Sequence, residues 1–411
     1  MMHPYGKHTY LWCPQMKCST LLLPLILLST QTYAAPATTV WNNFHGNAAH
    51  TGYMDTKTDP AKLKVVWSKS FYTEQLVDGL EYSTPSITDH IFYVTMKSYS
   101  HLDNTGITGL YALNAATGET VWKNMFDRRD YFSSPPVFDN NKVFWLTGHV
   151  NNYHLTAVDA ETGIMKLSDT LEVKDKLSTF ASPVMFDHHL YIGDTKGFQY
   201  SVNSETGKVD WVVPAGDDKA IPTVSENYIF RNNYPGIDII NRQSGDKYFL
   251  RTTDTEKYTE TTPIWNEKNK TVYTASRTFH NSISEISAID TEQRMVKWKL
   301  TLNGYINQPV LAGDSLYVCD FRKLYEVNAI TGKINWSTNV GESPSDMVAT
   351  SDMVFISHMG FNDTVAISRE THKIVWTYDK SGLLSLDKKR LYVISANANF
   401  KGVDVSAIAL N

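Results

Sequence analysis

Cysteine is nearly absent from this chain. Of three, Cys13 and Cys18 lie at or before an N-terminal apolar stretch, which leaves Cys319 alone in everything that follows. No internal disulfide can staple the remainder, and no cysteine pair exists to hold zinc. Within the strand-like run Leu316-Tyr317-Val318-Cys319 that lone thiol reads as a small buried apolar group. Long hydrophobic runs are also scarce. The one near the start, Ser19 to Leu28, is about ten residues and too short to span a bilayer. Lys17 precedes it and Thr32-Tyr33-Ala34-Ala35 follows, so residues 1–34 read as a secretory signal and 35–411 as the mature chain. Met16-Lys17 is a natural start, which would make residues 1–15 an upstream extension.

Basic charge is in deficit. Lys and Arg number 38 against 43 Asp and Glu, for a formal net charge of −5. Removing the leader takes away Lys7 and Lys17 and no acid, so the mature chain is more acidic still. Arg128-Arg129 and Lys388-Lys389-Arg390 are short clusters, not a stripe. Nonspecific nucleic-acid binding, which neutralises phosphates with basic side chains, is excluded on that balance. Helix-period segments are almost missing. So are the glycine-rich phosphate loops, the Gly-x-Ser-x-Gly elbow and the His-Glu-x-x-His zinc signature.

What the sequence does have is a repeat. A small residue, any residue, Asp or Asn, two more, Thr-Gly, three more and an aromatic make one phrase. Its fullest copy runs from Ala112 through Asn114 and Thr117-Gly118 to Trp122. Further copies pair Asp159 with Leu167, Asn203 with Trp211, Asn241 with Phe249, Asp290 with Trp298, Asn328 with Trp336 and Ser368 with Trp376. Asp or Asn can bond its own backbone two residues on and start a turn, and Gly supplies positive φ there without a Cβ clash. The β-branched and aromatic run that follows returns as a strand.

A second marker lies upstream in each unit. Pro85, Pro136, Pro183, Pro222 and Pro309 each have an aromatic eight residues later, at Tyr93, Phe144, Tyr191, Phe230 and Tyr317; Pro263 reaches Tyr273 with two residues inserted. Pro suits the first residue of a strand, where no ladder donor is required. Four strands per unit follow. The final unit stops at Asn411, in the Asp/Asn position, with no outer strand; Leu63-Lys64-Val65-Val66-Trp67 near the start reads like every other outer strand. The expectation is an all-β, eight-bladed propeller of four-stranded antiparallel blades, its last blade closed by an N-terminal strand.

The repeated Ala-x-Asp/Asn-x-x-Thr-Gly-x-x-x-Trp resembles the tryptophan-docking repeat of quinoprotein-like (PQQ-type) β-propellers. The segment Trp41 to Gly52 is similar to the one that opens many such chains, so the resemblance covers about residue 41 to 411. It implies that Trp67, Trp122, Trp211, Trp298, Trp336 and Trp376 pack against a small residue of a neighbouring blade. Leu167 and Phe249 depart from the pattern and imply looser packing at those junctions. The family holds quinone-dependent dehydrogenases and noncatalytic members, such as the periplasmic propeller of the outer-membrane barrel-assembly machinery. Fold alone does not choose between them.

The dehydrogenases are usually longer, many carry an adjacent cysteine pair, and their calcium ligands and catalytic Asp match no motif here. The favoured reading is therefore a monomeric, periplasmic or secreted scaffold without cofactor that binds another envelope protein. A PQQ-dependent oxidoreductase with calcium is the alternative, and a polysaccharide-binding or polysaccharide-cleaving propeller a further one. His45, His50 and the His188-His189 turn read as packing or solvated groups, not metal ligands.

Strand order places the Pro-to-aromatic turns and the Thr-Gly turns on one face, short and uniform. Loops on the opposite face vary in length, which is where binding usually resides. Tyr72, Tyr99, His101, Tyr153, Phe279 and Phe361 are the candidate binding residues there. Residues just before each blade's opening, Tyr82, Ser134, Phe180, Lys219, Glu260, Gln308 and Asp346, are expected to ring a central funnel.

Overall fold

The computed structural model describes residues 39–72, 79–100, 105–126, 132–149, 152–174, 180–216, 220–252, 257–259, 261–278, 283–396 and 402–411. All lie in the compact unit Pro36–Asn411. They form eight antiparallel sheets. Blades 1 to 7 take residues 86–126, 137–170, 184–214, 223–251, 264–303, 310–339 and 344–378 in chain order. Blade 8 takes 383–409 and is completed by the strand Val65–Tyr72, which pairs with Gly402–Ala409 and sets Trp67 opposite Ala407. No helix among the described residues is long and apolar enough to cross a membrane.

Local chemistry accounts for the hairpin between the third and fourth strands. Asn114 Oδ1 accepts from the backbone N–H groups of Ala116 and Thr117, at 2.9 and 3.1 Å, and Gly118 follows at φ +71°. Asp159, Asn203, Asn241, Asp290 and Asn328 repeat the arrangement. The outer strand of blade 3 is half-exposed while the three inside it are largely buried, because the latter pack between neighbouring blades.

Most blades reach the next through an aromatic of the outer strand, blade 2 through Leu167. Trp67 Nε1 donates to Ala115 O in blade 1 at 3.1 Å; Trp122 donates to Ala160 O at 2.8 Å, Trp211 to Arg242 O at 3.2 Å, and Trp298 to Ala329 O at 3.1 Å. Trp376 returns to Leu63 O at 3.0 Å, which closes the ring. A Cβ on Gly118 would stand 2.5 Å from the Trp67 ring, so only glycine admits that indole. The second-strand aromatics converge on the same carbonyls: Tyr93 on Ala160 O, Tyr273 on Ala329 O and, in blade 8 where no Pro precedes it, Tyr392 on Ala115 O. The two sequence markers thus describe one physical joint.

Two junctions use other parts. Where blade 7 has Thr371-His372 in place of Thr-Gly, the His372 ring stacks on Trp336 at 4.2 Å, and Trp336 Nε1 turns to Glu326. Burial opposes ionisation of Glu326, yet hydrogen bonds from Asn335, Ser315, Trp336 and Tyr317 hold its carboxyl below the usual value. At the junction of blades 4 and 5 the expectation for Phe249 is corrected. Other blades, such as blade 1, carry a bulge that offsets the outer strand by one residue; blade 4 has none. Tyr248 therefore takes the inward position, its hydroxyl 3.4 Å from Thr291 O and its ring under Arg294, while Phe249 is turned outward and exposed. Leu167 does occupy the inward position, against Gly207. Cys319 is buried, which pushes its thiol pKa up.

Candidate functional site

Residues 42–59 decide what kind of channel the ring encloses. Asn42 brackets the backbone of Phe138 in blade 2, donating to its O and accepting from its N; Asn43 does the same to Met185 in blade 3. Val224 N of blade 4 donates to Ala48 O, Trp265 N of blade 5 to Ala49 O, and Leu311 N of blade 6 to Thr51 O. Gly52 and Met54 bond both sides of Ala349 in blade 7, and Asp59 N donates to Leu410 O in blade 8. From blade 2 to blade 7 the opening segment thus visits the innermost strand of one blade after another, and in blade 8 it meets the end of the third strand. It satisfies backbone groups that no neighbouring strand covers. Its partners lie near the short-turn ends of those strands, so it closes the channel on that side.

The other end stays open. A cavity of about 380 Å³ is lined by Phe44 from the opening segment, Tyr82, Ser83 and Thr84 of blade 1, Pro135 of blade 2 and Leu383 of blade 8, among others. Its charged walls are Glu81 and Lys97, whose carboxylate and ammonium stand 3.5 Å apart. Hydroxyls and apolar carbons make up most of the rest. A second hollow, about 760 Å³, lies on the short-turn face between the opening segment and blades 3 to 5. There Arg242 is paired with Asp187 at 2.9 Å, and Glu267 accepts from Trp265 Nε1 at 2.7 Å.

Expected funnel residues separate into groups. Tyr82 lines the cavity. Ser134 does not: it is buried, its hydroxyl bonded to Pro135 O and Leu146 N, and Ser133 and Pro135 face the cavity instead. Phe180 is buried between Tyr153 and Tyr200, at ring separations of 4.9 and 5.9 Å. Gln308 bridges blades, accepting from Thr262 N and donating to Thr262 O. Asp346 Oδ1 accepts from Met347 N and meets His45 Nε2 at 3.2 Å, while its Oδ2 accepts from Leu384 N. Lys219 and Glu260 lie outside the described residues.

Of the expected binding-face residues, Phe361 is exposed at the turn between the second and third strands of blade 7. Tyr153 is corrected: it is 2% exposed, because its ring fills the junction beside Phe180. Tyr72 and Tyr99 sit in the strands Val65–Tyr72 and Ile91–Ser100. His101 and Phe279 lie outside the described residues. Sequence reasoning missed Phe44, Ser83, Lys97, Tyr305, Phe321 and Met359. The first three face the funnel only because distant strands converge there. The other three sit at short turns and linkers without any repeated signature. His50 is buried and bonded, and His188 is a largely exposed turn residue against Asp139, 3.0 Å away.

The model of the family described as outer membrane protein assembly factor BamB matches residues 56–300 and 282–408. The dehydrogenase subunit of a quinone alcohol dehydrogenase from Gluconobacter oxydans is 27% identical over 199 residues, 42% of this chain and 24% of that protein. A tetrathionate hydrolase from Acidithiobacillus ferrooxidans is 26% identical over 235 residues, 48% of this chain and 43% of that protein. The chain thus spans less than half the length of these curated relatives. The crystal structure of BamB from Moraxella catarrhalis superposes with a TM-score of 0.59 at 15% identity, over 84% of this chain and 97% of that one. At that identity the likeness speaks to fold alone.

Proposed function

The chain belongs to the family described as outer membrane protein assembly factor BamB, and from that premise we propose that it is a noncatalytic scaffold of the bacterial envelope. It works without cofactor, in the periplasm, and binds a protein partner in outer-membrane protein assembly through its variable-loop face. The carrying observation is the condition of the funnel. Both oxygens of Asp346 are already engaged by Met347 N, Leu384 N and His45, and Glu81 faces Lys97. Among the described residues, Asp346 is thus tied into the frame through both oxygens and Glu81 stands beside an ammonium, an arrangement that favours a structural role over a catalytic or metal-binding one. With the opposite end closed by residues 42–59, the variable-loop face is the side on which the funnel opens.

The test is co-purification of the full chain from envelope extracts, compared with a variant whose turn at Met359 to Asn362 is replaced by Gly and Ser. Recovery of outer-membrane assembly proteins with the native chain and their loss from the variant is the expected result. Equal recovery from both would count against the reading. So would dye reduction with an alcohol or sugar after addition of PQQ and calcium, which would favour the quinone-dependent alternative.

A further inference from the structure

Most exposed apolar side chains among the described residues are spread over outer strands, as with Val121, Met165, Met295 and Ile374. The variable-loop face over blades 5 to 7 is different. Tyr305, Phe321, Met359 and Phe361 are 54, 45, 76 and 59% exposed, and they belong to successive linkers and turns. They form one strip. Ser343 N donates to Phe321 O at 3.2 Å, linking blade 6 to the start of blade 7. A Cβ on Gly341 would lie 3.5 Å from the Phe361 ring, and one on Gly304 would lie 3.9 Å from Phe321. Glycine at 341 leaves the Phe361 ring without side-chain cover on that side, and glycine at 304 leaves the base of the Phe321 side chain open. Contiguous exposed aromatics of this kind mark contact surfaces.

Charge and shape narrow the occupant. Arg277 lies 3.5 Å over the Tyr305 ring, Arg322 pairs with Glu342, and His358 beneath Phe361 meets Asp363 at 2.8 Å. The Arg322 and His358 charges are met by acids within the strip and the Arg277 guanidinium is stacked on an aromatic ring, so an uncharged partner complements it better than an anionic headgroup. Blades 6 and 7 rise little: their middle strands have five or six residues. Blade 5 to one side has two of eight, and blade 8 to the other has seven and eight. The strip is the floor of a saddle between taller walls, a shape that admits a narrow chain and holds off a broad surface.

We propose that this saddle binds an extended segment of a partner envelope protein, uncharged and with apolar side chains at alternate positions. Such side chains recur on one face about every 7 Å. The proposal rests on the scaffold reading above and names the part of the face that is used. A photoreactive benzoyl-phenylalanine is placed at position 361 of the full chain, at 234 on blade 4 of the same face, and at 164 on the short-turn face. After irradiation in the native envelope, crosslinked peptides are identified by mass spectrometry. The expected result is a 361 adduct on a defined partner segment of that pattern, about tenfold above position 164. It should fall about tenfold when Tyr305→Ser and Phe321→Ser are combined, with the thermal midpoint of the variant unchanged. Adducts to lipid, to glycan or to a second copy of this chain, a segment of another pattern, or no adduct above position 164 would overturn it. So would an adduct insensitive to the two substitutions, or loss of the adduct together with a lowered midpoint when Tyr305→Phe and Phe321→Leu, which keep the apolar surface, fail to restore it. Partner adducts from 234 without any from 361 would leave the scaffold reading standing and remove the saddle; adducts from neither would remove both.

Discussion

At the scale of one residue, His50 shows how burial converts into pH dependence. Its Nδ1 stands 2.6 Å from Phe44 O and its Nε2 2.9 Å from Pro222 O, and only a doubly protonated ring could donate to both. Burial nonetheless dominates and pushes its pKa down from 6.5 to about 4; the two carbonyls oppose that and His45 adds to it. Between those values the unfolded chain holds more protons than the folded one, so stability falls as pH falls. The loss is on the order of 3 kcal/mol across the window. His50→Asn keeps a residue that tolerates the positive φ of 55°. Urea midpoints followed from pH 7 to 4 should decline more steeply for the native chain than for this variant. Parallel curves would refute the assignment.

At the scale of the element, the outer strand of blade 4 reads one way in sequence and packs another. Counting from Gly245 places Phe249 where Trp122 stands relative to Gly118, and the count is correct as spacing. Without the bulge the strand advances one residue, and the side-chain alternation swaps faces. Tyr248→Ala should therefore cost about 2 kcal/mol, because it removes a ring packed between blades. Phe249→Ala should stay within about 0.5 kcal/mol, as an exposed site does. Chemical denaturation of the two variants checks both; a larger loss at Phe249 would mean the bulge is present.

At the scale of the whole molecule, the N-terminal part acts twice. Val65–Tyr72 closes the last blade, and residues 42–59 tie the inner strands together on one side. A variant beginning at Gly79 would lose both. It would leave the strand Gly402–Ala409 as an unpaired edge and strip hydrogen bonds from innermost strands around the ring. We expect it to aggregate and to lose cooperative unfolding, as judged by calorimetry and sedimentation. A monomer with one sharp transition would show that neither contribution matters.

The sequence by itself determined the number of blades, the four-strand unit, the turn chemistry and the closing strand. Each of these follows from interactions among residues close in the chain and repeated along it, so spacing carries the information. Tertiary structure alone decided which end of the channel is closed, which of Tyr248 and Phe249 faces inward, and where exposed aromatics gather. Asn42 and Phe138 meet across 96 positions, and no repeat announces that contact. Tyr305, Phe321 and Phe361 become one surface only when three blades are set side by side with glycine left between them. Local periodicity specifies the parts of a ring, whereas the contacts that give it a floor and a face join residues far apart in sequence.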